Sequence, residues 1–167
     1  EYPYKVIPVI GRSITIESNK PEEIARAKAI GEAFCSYFKE LDLTISYYNF
    51  RANGFEEQFN VLGDTGSVEY KIAMGNIKAR MRMIQLYHSA GIRKGLVLST
   101  DNYTELLLGF WTLHGDVGDY GMIQNLWKTE VYGWARWLAN TYDGFVLQDK
   151  ANSLINCCNA FQTDGLG

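Results

Sequence analysis

Two histidines, three cysteines and three prolines in 167 residues leave little material for a zinc site, a disulfide framework or a proline-rich linker. The cysteines, Cys35, Cys157 and Cys158, are odd in number and lack CxxC spacing. The adjacent pair cannot easily bridge to itself, which points to a reducing compartment. Charge of one sign is also scarce. A formal net charge of −3 excludes a chain held to nucleic acid by general phosphate attraction, although it leaves room for a local basic pocket. No apolar run approaches the roughly 20 residues of a membrane span, and EYPYKVIPVIG has no signal-peptide layout. No membrane and a cytoplasmic location are therefore expected. What is present, 47% hydrophobic and 21% charged residues, suits one globular domain spanning residues 1–167.

Along the chain, the β-branched run Tyr4–Ile10 predicts a strand, interrupted by Pro8. Ser18 and Asn19 are capping types, and Pro21 suits a first helical turn. Ile24, Ala27, Ile30, Phe34, Phe38 and Leu41 then recur at helical spacing. Asp42–Tyr48 (DLTISYY) reads as a second strand and Asn49–Gly66 as a long loop. A helix from about Tyr70 to Ala90, ended by Gly91, precedes a buried strand at Gly95–Ser99. Helices are expected at Thr104–Trp111 and Thr129–Ala139, around a connector rich in Gly and Asp. The alternation predicts an α/β domain with a parallel sheet.

On the helix GNIKARMRMIQLYHSAG, Ile77, Met81, Ile84 and His88 form one apolar face, and Ala79, Met83, Leu86 and Tyr87 another. A helix buried on two sides implies a second subunit on one of them. Arg80 falls between Tyr87 and Ile84, off the polar stripe, and there needs an anionic partner: an internal carboxylate, or a ligand phosphate or carboxylate matched to its planar fork. In LVLSTDNYTELLLGF an apolar strand runs into Ser99, Thr100, Asp101 and Asn102, the end of a parallel strand where ligands bind. Asn102 and Glu105 form a variant capping box, while Glu105 also has the hard oxygen chemistry of a Mg²⁺ ligand. Gly115, Gly118 and Gly121 with Asp116 and Asp119 predict a tight acidic turn. Lys128, at a helix start beside Glu130, is either solvated or poised for phosphates. Trp127, Trp134 and Trp137 read as core or subunit contact rather than a base-stacking platform.

Taken in order and spacing, GNIKARMRM, LVLSTDNYTELLLGFWTLHGD, DYGMIQNLWKTEVYGWARWLA and the terminal TDGLG resemble the NAD synthetase family over about residues 70–167. The resemblance implies a three-layer parallel α/β sheet, adenine-nucleotide alpha-hydrolase-like (Rossmann-like), in a homodimer formed through the Tyr70–Ala90 helix. It implies ATP- and Mg²⁺-dependent activation of the carboxylate of deamido-NAD as an adenylate, with free ammonia then displacing AMP. Position by position, it makes Thr100, Lys128 and Thr163 ATP contacts and Glu105 a Mg²⁺ ligand. It makes Asp119 a deamido-NAD contact and Arg80 another, reached across the dimer. No residue is singled out as catalytic.

The chain departs from the family pattern in three places. The first strand, with its SGGxDS-type pyrophosphate loop, has no counterpart, and Gly167 comes before the family's basic C-terminal tail, so a domain cut short at both ends is expected. The lysine of the family's TKxGD motif is Leu113, and the connector before Asp119 is one residue short. These departures motivate an alternative, a nucleotide-binding or dimerisation remnant without catalysis.

Overall fold

A computed structural model describes residues 7–53, 65–142 and 147–161. By contact, the chain divides into two compact units. One comprises Glu1–Leu43 and Ala135–Ala160, the other Thr44–Trp134 and Phe161–Gly167.

In the first unit, β1 (Ile10–Thr15) and β2 (Tyr37–Asp42) pair in parallel from Ile10↔Tyr37 to Thr15↔Asp42. They are joined by α1 (Pro21–Phe34). Proline stands at the start of α1 as the sequence predicts, but the N-cap is Lys20, whose backbone N–H donates to Glu23 Oε2 at 3.2 Å. Asn19 instead closes the preceding turn, its Oδ1 accepting the Ile16 N–H at 3.0 Å. The helix stops at Phe34 rather than reaching Leu41, because Cys35 is extended and the following residues pair with β1. Phe38 continues a helical spacing in the sequence, yet its ring fills the room left at Gly31 and Gly11, where a Cβ would collide with it or with Cys35. Packing and strand pairing together override the local periodicity. The expected strand at Tyr4–Ile10 meets the observed one only at Ile10. Residues 7–9 are irregular, and residues 1–6 lie outside the described set.

An unanticipated helix, α6 (Gln148–Asn159), packs on α1. Phe34 is central to this side of the unit: its ring lies 5.9 Å from that of Tyr142, and Lys150 Nζ sits 5.5 Å from its centroid. The Cys157 thiol is pushed up by burial, against the opposing pull of Arg26.

In the second unit, the expected strand Asp42–Tyr48 is a helix, α2 (Thr44–Ala52). Its β-branched and aromatic residues favour a strand, but Leu43 and Tyr47 are buried and Arg51 half-buried while Ile45 and Asn49 are exposed, a pattern that fits a helix and not a strand, whose every second residue would share the buried face. Tyr47 is 1% exposed and lies under two cations, Lys78 Nζ at 5.2 Å and the Arg51 guanidinium at 5.6 Å from its centroid. Arg51 also donates to the Tyr70 hydroxyl at 2.8 Å. The expected loop at Asn49–Gly66 accordingly begins only after Ala52, and residues 54–64 fall outside the described set.

The long helix α3 (Val68–Arg93) forms where expected and is capped by Ser67, whose Oγ accepts the Tyr70 N–H. It runs past Gly91: Lys94 takes the left-handed conformation at φ 52°, and the Gly95 N–H reaches back to the Ala90 carbonyl at 2.9 Å. Of the expected Gly95–Ser99 strand only β3 (Leu98–Ser99) is regular, paired in parallel with β4 (Tyr120–Gly121). Val97 and Ser99 are buried while Leu96 and Leu98 are exposed, so the segment has one buried face rather than two. The next helices are α4 (Tyr103–Leu108), shorter than expected because Gly109 caps it at φ 65°, and α5 (Lys128–Thr141). Trp127, Trp134 and Trp137 are exposed and are not core.

Both strand pairs are parallel and helices alternate with strands, which is the Rossmann-like α/β class anticipated.

Candidate functional site at the tip of β3

Where β3 ends, polar side chains take over the work of backbone pairing. Ser99 Oγ donates to Asp101 Oδ2 at 3.0 Å and accepts the Asp101 N–H. Asn102, 4% exposed, caps α4: its Oδ1 accepts the N–H groups of Thr104 at 3.1 Å and Glu105 at 3.2 Å. Glu105 Oε2 returns the contact by accepting the Asn102 N–H at 3.0 Å. The capping box read from the sequence is therefore real, and such a cap contributes about 1 kcal/mol.

Capping does not exhaust Glu105. Its second oxygen, Oε1, lies 3.0 Å from Lys128 Nζ, so the resemblance-derived metal ligand and ATP lysine meet in one ion pair. Lys128 faces Glu105 rather than Glu130, whose Oε2 accepts the Trp127 N–H at 2.7 Å. Thr100 is exposed at the same strand tip. The Asp101 carboxyl is held above the usual aspartate range, first by burial and then by the nearby charges of Asp116 and Glu105, with the Ser99 hydrogen bond opposing them.

Asp119 stands further back. Its N–H donates to the Val97 carbonyl at 2.7 Å and its Oδ2 accepts the Val97 N–H at 2.8 Å. Leu98 and Ser99 separate Val97 from Thr100, three residue steps or about 10 Å at ordinary strand rise. The Tyr87 phenol hydrogen-bonds to Asp119, and its pKa is raised by burial and by that carboxylate's charge. Gly118 makes this arrangement possible: a Cβ there would strike the backbone of Ser99 and Leu98.

Arg80 departs from expectation. It is exposed rather than buried, and its partner is no carboxylate: Nε donates to the Leu113 carbonyl at 3.1 Å. The same stretch of α3 holds the neighbouring loop, with the Thr112 hydroxyl donating to Asn76 Oδ1 at 2.7 Å. Asp116 closes the loop by accepting the Thr112 N–H at 2.7 Å, and Gly115 presses on Ala79, 2.9 Å from where a Cβ would stand. Arg80 thus anchors the 112–116 loop within its own chain. Among the described residues the guanidinium has no other hydrogen-bond partner.

The structure therefore gathers Glu105, Lys128 and Thr100 at one strand tip, places Asp119 back along the strand, and sets Arg80 beneath the adjoining loop. Thr163 lies outside the described residues. Sequence reasoning missed Asn76 and Thr104. Asn76 stands four residues before Arg80, a helical neighbour spacing that could have signalled it; Thr104 acts on Lys128, 24 residues away, and no local pattern marks it.

Residues 9–147 match the NAD synthase family. The chain is 38% identical over 113 residues to an NH(3)-dependent NAD(+) synthetase of Syntrophomonas wolfei, covering 67% of this chain and 43% of that protein. To the NH(3)-dependent NAD(+) synthetase of Methanocaldococcus jannaschii it is 33% identical over 133 residues, covering 78% of this chain and 48% of the relative. The chain thus spans less than half the length of these relatives. In fold it resembles the NMN synthetase of Francisella tularensis, with TM-score 0.75 at 20% identity over 96% of this chain and 58% of the other. It also resembles the NH3-dependent NAD synthetase of Campylobacter jejuni, with TM-score 0.56 at 22% identity over 87% of this chain and 62% of that one. With the motifs, the parallel strand pairs and the residues matched all in agreement, the chain belongs to the NAD synthase family.

Proposed function

We propose that this protein amidates deamido-NAD to NAD, using ATP and free ammonia, through an adenylate. The observation that carries the reading is the meeting of Glu105 and Lys128 at the tip of β3, 3.0 Å apart on a turn already fixed by Asn102. In the proposed reaction a carboxylate oxygen of deamido-NAD attacks the α-phosphorus of ATP and pyrophosphate leaves. Ammonia then attacks the acyl carbon, expels AMP and loses a proton. The Lys128 ammonium offsets charge on the phosphates, with Thr100 and Thr163 as further ATP contacts. Asp119 and Arg80 orient deamido-NAD, and binding both nucleotides together removes the entropy cost of their encounter.

Glu105 fits the proposed Mg²⁺ in a particular way. Among the described residues no group of three or more His, Cys, Asp and Glu side chains forms a metal cage. Mg²⁺ commonly takes one or two carboxylates together with substrate phosphates and water, and each Glu105 oxygen, holding one N–H donor, keeps a lone pair for such an ion. When bound, the ion would neutralise phosphate charge.

The proposal extends to a cytoplasmic homodimer formed through the Tyr70–Ala90 helix. It is supported by the exposed Ile84 and Ile92, eight residues apart on one side of α3, apolar area that a second copy would cover. No described helix is long and apolar enough to cross a membrane.

Incubation with deamido-NAD, ATP, Mg²⁺ and ammonium, followed by NMR, tests the reading: NAD and AMP should appear in equal amounts. One observation favours the remnant alternative. Leu113, 56% exposed, offers an apolar side chain where the family motif has lysine, which would remove part of a deamido-NAD site there. ATP binding without AMP release would select that alternative.

A further inference from the structure

Three consecutive residues at the start of α4 grip the start of α5. The Tyr103 N–H donates to the Leu126 carbonyl at 2.9 Å, and the Tyr103 ring meets Trp127 edge-on with centroids 4.8 Å apart. Thr104 Oγ1 accepts the backbone N–H of Lys128 at 3.0 Å, and Glu105 Oε1 takes the Lys128 ammonium, also at 3.0 Å. Lys128 is thus held at both ends, its main chain by one residue and the tip of its flexible side chain by the next.

We infer that Thr104 is a positioning residue for the ATP site: its hydroxyl fixes the Lys128 backbone, and so sets where the Lys128 ammonium can meet phosphate. The inference rests on the reading of Lys128 as an ATP contact. Lysine carries its charge on a long stem, so its aim depends on where the stem begins. Thr104 has this capacity because its backbone N–H is already committed to Asn102 Oδ1, which locks the residue while its hydroxyl points at α5. A purely structural role is the competing account, since the Lys128 N–H is also one of the donors at a helix start that have no partner within the helix.

Titration calorimetry with ATP in the presence of Mg²⁺ separates these accounts, with deamido-NAD affinity as reference. Thr104→Val removes the acceptor at nearly constant shape and should weaken ATP about fivefold, the worth of one hydrogen bond, while leaving deamido-NAD affinity unchanged. Thr104→Ser should restore ATP affinity. If Thr104→Val does not fold, Thr104→Ala removes the same acceptor without added bulk and is read in its place. Wild-type ATP affinity in the hydroxyl-less variant, alongside weak binding by Lys128→Ala, overturns the inference and leaves the ATP-site reading standing. Unchanged ATP affinity in Lys128→Ala, or no ATP binding by the wild-type chain, overturns both.

Discussion

The two parallel strand pairs are built differently. β1 and β2 run side by side for six residues, and their neighbourhood is closed by aromatic packing, with Phe38 seated in room left by two glycines and Phe34 beside Tyr142. β3 and β4 pair over only two residues and are prolonged by side chains: Asp119 extends the ladder to Val97, and Ser99 and Asn102 organise the exit. The contrast teaches that one pair is secured by volume and the other by polar geometry. Side chains fix the turn after each pair's first strand, Asn19 and Glu23 after β1 and Asn102 and Glu105 after β3, but among the described residues only the second turn adds an ion pair, Glu105 with Lys128, and that is where charged ligands are expected to bind.

The sharpest way to break the comparison is Gly118→Ala. Its Cβ would meet strand backbone, which cannot swing aside, so a loss of about 3 kcal/mol is expected in denaturant unfolding. Gly31→Ala is the control: the colliding group is the Phe38 ring, and the gain in helix propensity partly offsets the clash. Equal losses in the two variants would erase the distinction.

Next in size is Arg80→Leu, which removes the hydrogen bond to Leu113 and an exposed cation. Stability should fall by about 1 kcal/mol, with a larger weakening of deamido-NAD binding. Unfolding with unchanged substrate affinity in the surviving protein would reduce Arg80 to a loop anchor. Glu105→Gln should act more narrowly. The amide oxygen can still accept the Asn102 N–H, so the cap persists, and loss of the partly exposed ion pair with Lys128 changes stability by less than about 1 kcal/mol. The Mg²⁺ concentration that supports ATP binding should rise several-fold; an unchanged requirement would remove Glu105 as the metal ligand.

The smallest effect concerns pH. Because the Asp101 pKa is raised in the folded state, its contribution to stability is full below the unfolded aspartate pKa and is lost as pH rises through the higher folded value. Asp101→Asn should therefore raise the melting temperature slightly at neutral pH. The advantage should vanish in acid, and a gain that persists there would place its cause elsewhere.

Much of the site region was legible because its signals are local. The Asn102–Glu105 box spans three residues, α3 carries a long apolar repeat, and the clustered glycines announced tight turns. Failures came where distant contacts decided the outcome. Helical spacing through Phe38 and Leu41 concealed a strand that exists because β1 lies beside it. The strand propensity of DLTISYY yielded to burial of Tyr47 under Lys78 and Arg51. An angular projection of α3 puts Arg80 off the polar stripe, but the side chain is exposed and the 112–116 loop supplies a carbonyl instead of a carboxylate.

That carbonyl bears on how the family motif can vary. Arg80 holds residue 113 by an atom every amino acid possesses, so the loop keeps its anchor whichever side chain stands there. Position 113 is released from architectural duty, and a change of side chain there leaves the path of the chain undisturbed.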